Sequence, residues 1–206
     1  VVSEVEDFLV SDERGTPQFL PEGSGRTTLA SWIKVIENFT LEPGESKEIP
    51  FQIIVPENAE PGGHYASVLF KTQTSAKENE LSVSGRLGVL VLASVPGDIS
   101  KKGEIVDFSA SKMVDKGPMA FSVRYKNTGT VHYQANGKIQ IYNFFGQKTG
   151  ELELSKHYLL PDSIYNFEVK WPRNYLFGQY KAVLEVEDGE GVIHTSTFKF
   201  FAFPWQ

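Results

Sequence analysis

Alternation of apolar and polar side chains with a period of two residues is the feature that most constrains what this chain can fold into. Successive side chains of a β-strand point to opposite faces of a sheet, so this pattern predicts half-buried strands. In GQYKAVLEVED (178–188) the apolar face consists of Tyr180, Ala182, Leu184 and Val186. The pattern recurs in MAFSVRYKN (119–127), GKIQIYN (137–143) and YNFEVKW (165–171). Helical periodicity is almost absent, and the chain is therefore predicted to be all-β.

Turn-forming residues separate the alternating segments. Gly, Pro, Asn and Asp cluster at roughly ten-residue intervals, as in NTGT (127–130), FFGQKTG (144–150) and EDGEG (187–191), which is typical of β-hairpins. The second half is therefore predicted to be a β-sandwich of about seven strands. The first half is sparser: strands are predicted near 1–10, 32–37, 46–55, 64–74 and 81–95, with a polar connection over 11–28.

Length and charge distribution predict two domains. A chain of 206 residues accommodates two domains of about 100 residues each. Residues 1–98 carry 7 Lys+Arg and 15 Asp+Glu, whereas residues 99–206 carry 13 and 11, so the net charges are −8 and +2. Because this change of charge meets the Pro- and Gly-containing segment VPGDISKKGE (95–104), the predicted domains are 1–98 and 99–206. The overall net charge of −6 disfavours nucleic acid as a partner.

The sequence offers little to an enzyme. It has no cysteine, which excludes thiol chemistry and disulfides. Its four histidines stand singly at 64, 132, 157 and 194 and are interpreted as ordinary surface residues. No Gly-x-Ser-x-Gly elbow is present. We therefore expect no cofactor, no catalytic metal and no enzymatic activity.

Two acidic groups could offer oxygen ligands to calcium. They are Asp7, Asp12 and Glu13, and Glu187, Asp188 and Glu190. Neither has the alternating Asp spacing of a calcium loop, so both are interpreted as solvated turn residues. Whether a loop binds calcium stays open at this point.

The glycine-rich segment EPGGHYASVLF (60–70) could cradle a phosphate or turn the chain between two strands. A phosphate loop needs a helix after its glycines, whereas an apolar run that reads as a strand follows here. Both halves contain a strand with a Phe, a proline five residues later and then Gly-x-Tyr, at Gly63/Tyr65 and Gly178/Tyr180. We therefore predict a corner at which glycine adopts a positive φ while the chain crosses between sheets, sealed by the tyrosine.

Aromatic side chains in predicted loops are the candidate contact residues. Most of the Trp, Phe and Tyr residues occupy inward strand positions and are predicted to form the core. The loop candidates are Phe19, Phe144, Phe145, Tyr175 and Phe177. We predict that several of them contact a protein or a glycan.

Several of these motifs together resemble a known family. TLEPGESKEIPFQIIVPENAEPGGHYASVLF (40–70), NTGTVHYQANGKIQIYNFFGQ (127–147), LLPDSIYNFEVKWP (159–172) and FFAFPW (200–205) are similar to motifs of bacterial cell-surface proteins known as WxL-interacting proteins. The resemblance covers residues 30–206 and implies two tandem immunoglobulin-like β-sandwich domains. It also implies an extracellular ectodomain of a membrane-anchored protein, with peptidoglycan binding by the first domain and protein binding by the second. Contact with a membrane would then be only through an anchor absent from this chain.

The resemblance also implies one or two strands before VVSEVEDFLV (1–10), so the first domain is expected to be incomplete at its N-terminus. An open sheet edge tends to add another strand. We therefore expect a strand-exchange edge at Val1, Val2, Val5 and Phe8, and with it a homo-oligomer. The leading functional hypothesis is a non-enzymatic adhesion module that recognises a surface protein or peptidoglycan through sheet edges and loops. The alternatives are a surface-fibre subunit assembled by strand donation and an accessory domain of a carbohydrate-active enzyme.

Overall fold

The computed structural model describes residues 1–20, 29–72 and 85–203, and these residues form β-strands, turns and one short 3-10 helix. The prediction of an all-β sandwich fold is confirmed, because antiparallel sheets pack over shared cores. The chain divides into two compact units: the first comprises Val1–Leu9 and Pro17–Asp98, and the second comprises Val10–Thr16 and Ile99–Gln206. The described part of the chain has no helix long and apolar enough to cross a membrane.

The first unit places a four-stranded sheet over a two-stranded one. Its elements are β1 (Val2–Val10), β2 (Pro17–Leu20), the 3-10 helix (Ala30–Trp32), β3 (Ile33–Val35), β4 (Phe51–Ile53), β5 (Gly62–Lys71) and β6 (Arg86–Val95). The large sheet has the order β2-β1-β5-β6, and β3 pairs with β4. Trp32 and Ile33 pack against Ala66 and Val68 of β5 in the core between the two sheets.

Buried Asp7 fixes the start of the 3-10 helix in this unit. Its Oδ1 accepts hydrogen bonds from the backbone N–H groups of Leu29 and Ala30, each at 2.8 Å. The first N–H groups of a helix have no partner within it, so a carboxylate oxygen there satisfies donors that would otherwise be buried unpaired. Asp7 is therefore a structural residue.

The second unit is a larger sandwich. Its strands are β7 (Gly103–Ala110), β8 (Met113–Val114), β9 (Met119–Asn127), β10 (Tyr133–Gln134), β11 (Asn136–Asn143), β12 (Lys148–Glu153), β13 (Tyr158–Leu159), β14 (Ile164–Trp171), β15 (Gly178–Glu187) and β16 (Ile193–Ala202). One sheet has the order β12-β11-β15-β16-β8 and the other β14-β9-β7, while β10 and β13 form a small pair. The alternating apolar residues of β9, β11 and β15 are buried between these two sheets, as their sequence pattern predicts.

The corners that carry Gly-x-Tyr are turns between strands, as predicted. β5 and β15 start at the glycines, and each lies in a different sheet from the strand before it. Gly178 has φ +91°, and Tyr180 accepts a hydrogen bond from the Phe177 N–H at 3.3 Å. In the first unit the positive φ falls on Gly62, at +133°. Gly63 is required for a different reason, because a Cβ there would overlap the Tyr65 hydroxyl.

Two strand predictions in the first unit were wrong. β2 lies within residues 11–28, which were expected to be a connection, and its four residues are too short for an alternating pattern to reveal. The strand expected over 46–55 shrinks to β4, Phe51–Ile53. Pro50 directly precedes β4 and has no N–H to give to a ladder, so regular pairing cannot extend through it from that side.

Candidate interaction surface

The N-terminal residues expected at an open edge lie inside the sheet. β1 is flanked by β5 along residues 2–7 and by β2 on its other side. Residues 37–39 bond to the start of β1: the Ser3 N–H donates to Glu37 O at 2.7 Å, and the Phe39 N–H donates to Val1 O at 3.1 Å. Val1, Val2, Val5 and Phe8 were expected to form an open strand-exchange edge, but β1 has neighbours on both sides. Phe8 is buried, and the three valines are partly buried.

Phe19 also differs from its predicted setting. It belongs to β2 and is half-buried, with the Arg86 guanidinium 5.4 Å from its ring centroid. A cation over an aromatic face is attracted by the ring quadrupole. Phe19 therefore packs within the first unit and is not part of an exposed loop.

Phe144 and Phe145 occupy the tip of the β11–β12 hairpin in the second unit. The turn is closed by the Asn143 N–H, which donates to Gln147 O at 3.0 Å, and Gly146 provides the positive φ of +76°. Phe144 is 72% exposed and Phe145 is 83% exposed. The two rings contact each other edge to face, with centroids 5.7 Å apart. The turn geometry therefore holds two large apolar side chains in solvent.

Tyr175 and Phe177 project from the loop between β14 and β15. Leu176 between them is buried and anchors the loop, so its two neighbours face outward. The Gly117 N–H donates to Asn174 O at 3.0 Å and ties this loop to the segment after β8. Tyr175 is 91% exposed and Phe177 is 72% exposed. The Phe177 ring lies 6.1 Å from that of Phe203, just after β16.

These two loops lie at the same end of the second unit. Asn143, where the hairpin turn begins, pairs with Tyr180 of β15, and Tyr180 follows Phe177 by three residues. Two shallow hollows of about 710 and 410 Å³ meet at Tyr180. We call the exposed side chains Phe144, Phe145, Tyr175 and Phe177, with the two hollows, the aromatic end.

Charge at the aromatic end is mainly positive. Lys116 and Arg173 line the larger hollow together with the single carboxylate Asp115. Lys181 and Lys199 line the smaller hollow and are opposite each other on β15 and β16. The whole chain has a net charge of −6, but this surface presents four cations and one anion. Its local electrostatic potential is therefore positive although the chain as a whole is acidic.

The acidic groups considered for calcium do not come together as ligands. Asp12 Oδ1 accepts the N–H groups of Arg14 and Thr16, and Glu13 forms a two-pronged pair with Arg124. The side-chain hydrogen bond from Arg124 lowers the pKa of Glu13. Within residues 1–20, 29–72 and 85–203 no group of three or more His, Asp or Glu side chains is placed to hold a metal ion.

Asp188 has a structural role in the β15–β16 turn, as Asp7 has beside the 3-10 helix. Both are buried, so the interpretation of these two as solvated turn residues is wrong. Burial alone would raise its pKa, but hydrogen bonds from the Val192 and Glu190 N–H groups and from His194 outweigh burial and lower the pKa. Bonding to the charged form favours ionisation. The Asp188 carboxylate is therefore engaged in hydrogen bonds within and beside its own turn.

The histidines are less exposed than the sequence suggested. His64 is buried, with its ring 4.4 Å from that of Trp32, and its Nε2 is 2.9 Å from Glu60 O. His132 is half-buried, and burial followed by the charge of Lys101 lowers its pKa. The interpretation of all four as surface residues is therefore wrong for His64, while His132 and His194 are partly buried and His157 is exposed.

Sequence reasoning missed two features of the molecule. It did not reveal that four basic residues from separate strands and loops would surround the exposed aromatics. It also did not reveal that β6, which was predicted as a strand, would end the sheet. Neither feature has a local signal, because both depend on which distant segments become neighbours.

Comparisons with known proteins do not identify a family for this chain. No protein-family model matches the sequence, and no protein of curated function matches it. The chain is similar to the crystal structure of CopC from Methylosinus trichosporium OB3b, at 18% identity and a TM-score of 0.37 over 51% of this chain and 97% of CopC. It is also similar to Spo0M, a sporulation control protein from Bacillus subtilis, at 10% identity and a TM-score of 0.37 over 49% of each chain.

Proposed function

We propose that this chain is a non-enzymatic binding module of a bacterial cell surface, and that it holds a protein partner through the aromatic end. The observation that carries the proposal is the display of four highly exposed aromatic side chains on adjoining loops of one sandwich. Single exposed apolar residues are ordinary, but a contiguous group rimmed by charge is typical of a contact surface. The aromatic end has both properties.

The energy available at this surface is of the right size for recognition. Burying one large apolar side chain contributes about 1.5–3 kcal/mol, so four contribute about 6–12 kcal/mol. Loss of translational and rotational freedom costs about 4–15 kcal/mol on association. The four rings alone therefore offset a large part of that cost, while the surrounding lysines and arginine steer an acidic partner to the site.

Ring orientation favours a protein over a glycan. A sugar-binding platform presents ring faces that a pyranose can cover, whereas Phe144 and Phe145 stand at 78° to each other. Phe177 and Phe203 are tilted by 40°. Side chains that project at different angles suit separate pockets on a protein surface, where aromatic residues dominate binding energy. The excess of cations predicts a partner whose contact surface is acidic.

The two alternative functions have less support from the described residues. Strand donation by β1 would require an edge position, and β1 lies inside its sheet. An accessory domain of a carbohydrate-active enzyme would hold a glycan, for which the inclined rings of Phe144 and Phe145 are less suited. A protein-binding role is consistent with both observations.

The test compares paired substitutions at opposite ends of the same strands. The double variants Phe144→Ser/Phe145→Ser and Tyr175→Ser/Phe177→Ser remove the exposed rings. Val192→Ser/Ile193→Ser is the matched control, because these two exposed residues lie beside the turn at the far end of β15 and β16. Binding is measured by biolayer interferometry against a bacterial surface-protein fraction and, separately, against purified peptidoglycan.

Each aromatic variant is expected to weaken binding to the protein fraction by at least roughly thirtyfold, which corresponds to the loss of a single hot spot of about 2 kcal/mol. The control variant is expected to bind like the unmodified chain. Selective binding to peptidoglycan would show that a glycan is the ligand instead. Equal binding by all three variants would refute the role of the aromatic end.

A further inference from the structure

β6 is an edge strand with unusual properties. It is ten residues long, and all ten pair with β5 without a register shift. In the part of the chain that the structure describes, no strand pairs with its other side. Natural edge strands are commonly protected by charge, proline, a bulge or short length. Residues 87–95 of β6 contain no charge and no proline, so this edge has none of those protections.

In an antiparallel pair, every second residue of a strand is hydrogen-bonded to its neighbour, and the residues between them point their backbone groups the other way. This alternation shows which backbone groups of β6 face outward. The Thr72 N–H donates to Gly85 O at 3.1 Å, so the pairs that follow at every second residue, such as Phe70 with Leu87 and Val68 with Val89, are hydrogen-bonded to β5. The contact of Ser67 Oγ with Val89 O at 3.3 Å agrees with this assignment. The N–H and C=O groups of the even-numbered residues, 86 to 94, therefore point away from β5.

Side chains along this edge are apolar and exposed. Leu87 is 70% exposed, Val89 is 51% exposed and Leu90 is 44% exposed. Leu87 and Val89 lie on the same face as Val91, Ala93 and Val95, which pack against the core. The core-facing side of β6 is therefore covered at its C-terminal end and uncovered at its N-terminal end.

We propose that β6 pairs antiparallel with β6 of a second copy of this chain, around a two-fold axis at Leu90. This register brings the outward-facing even residues of both copies opposite one another, with Leu90 against Leu90 and Gly88 against Leu92. It allows about ten backbone hydrogen bonds and joins two four-stranded sheets into one. Leu87 then faces Ala93 and Val89 faces Val91, so apolar rows continue across the axis.

The charges along this edge are compatible with a second copy of the same chain. The one charged residue of β6, Arg86, bonds to Glu6 of its own chain and would face Ser94 of the second copy. The two Arg86 residues would be roughly 27 Å apart along the strands, at about 3.4 Å per residue, well beyond the Debye length of about 8 Å. The edge is thus complementary to itself.

The same symmetry limits the assembly to two chains. Each copy uses the same strand in an isologous contact, so no free β6 remains once the pair has formed. The product is a closed dimer, in contrast to the fibre expected from strand donation. The inference is independent of the proposed function, because the aromatic end belongs to the other unit.

The test is the mass of the full chain by sedimentation equilibrium over a wide range of concentration. The mass is expected to rise from 23.0 kDa to twice that value and no further. Leu90→Pro removes an outward N–H without breaking a bond to β5, and Leu90→Lys places a charge at the axis. Each is expected to weaken dimerisation by at least roughly tenfold. Ile193→Lys, an equally drastic change at an exposed position of the other unit, should leave it unchanged.

Amide hydrogen exchange supplies a second readout that does not depend on any variant. The N–H groups of Gly88, Leu90 and Leu92 are expected to become protected as the concentration rises, whereas those of Leu87 and Val89 are protected throughout. A monomer at all concentrations, growth beyond two chains, or a dimer that survives both Leu90 substitutions would overturn the proposal. Loss of the dimer in Phe144→Ser/Phe145→Ser would also overturn it, because association would then occur through the aromatic end.

Discussion

Replacement of Asn127 by alanine should strongly destabilise the second unit. Asn127 ends β9 and is fully buried. Its Nδ2 donates to Val131 O at 3.0 Å and to Leu159 O at 2.7 Å, and its Oδ1 accepts the Gly129 N–H at 2.8 Å. The side chain therefore joins the start of the NTGT turn to the end of β13 and satisfies three buried backbone groups.

The expected loss follows from counting the groups left behind. A buried donor or acceptor without a partner costs about 1–3 kcal/mol. Some relaxation and water entry favour the low end, so the three groups together cost about 3–6 kcal/mol. Domains are typically stable by about 5–15 kcal/mol, and the loss is therefore a large part of the total.

Urea denaturation followed by tryptophan fluorescence measures this loss, since buried Trp171 reports on the second unit. Asn166→Ala is the matched control, because Asn166 is only half-buried and its side chain accepts one hydrogen bond, from Ser122. That change should cost about 0.5–1.5 kcal/mol. A loss below about 1 kcal/mol for Asn127→Ala, or one equal to the control, would show that the three hydrogen bonds do not support the turn as argued.

Three further outcomes are expected. Gly63→Ala should destabilise the first unit, since the new Cβ would overlap the Tyr65 ring, and Tyr65→Phe should restore part of the loss by removing the hydroxyl; thermal unfolding of the double variant checks this, and no restoration would contradict it. Asp188 has a lowered pKa in the fold, so its stabilisation should be present above the unfolded value of 3.8 and lost as the pH falls below it; the stability gap between the unmodified chain and Asp188→Asn should therefore shrink on acidification, and a constant gap would refute this. His132 also has a lowered pKa, so protonation opposes folding and stability should fall as the pH drops below about 6.5; His132→Gln should flatten that part of the curve, and an unchanged slope would count against it.

The alternation of apolar and polar residues predicted the general architecture, whereas the resemblance to a known family did not predict the strand neighbours of β1. The all-β sandwich fold expected from the alternation is confirmed. The open N-terminal edge was expected because such domains have earlier strands, yet β2 and residues 37–39 take the place beside β1. Four residues from a predicted connection were enough to move the edge from β1 to another part of the sheet.

By itself the sequence determined the period of two, and with it the strands and their buried faces. Tyr180, Ala182, Leu184 and Val186 are buried as their spacing predicts, because the side to which a strand residue points is set by its immediate neighbours in the chain. The corners at Gly62 and Gly178 were also readable within a residue, since a positive φ is a local demand that glycine meets at low cost.

Only the tertiary structure decided which strand ends a sheet and which loops share an end of the sandwich. β6 looks no different in sequence from a strand with neighbours on both sides, and Lys116 lies far along the chain from Arg173 and Lys181. The local residue pattern does not determine which distant strands pair with each other. That pairing is set when the whole sheet forms cooperatively. The two surfaces assigned here to association follow from that choice.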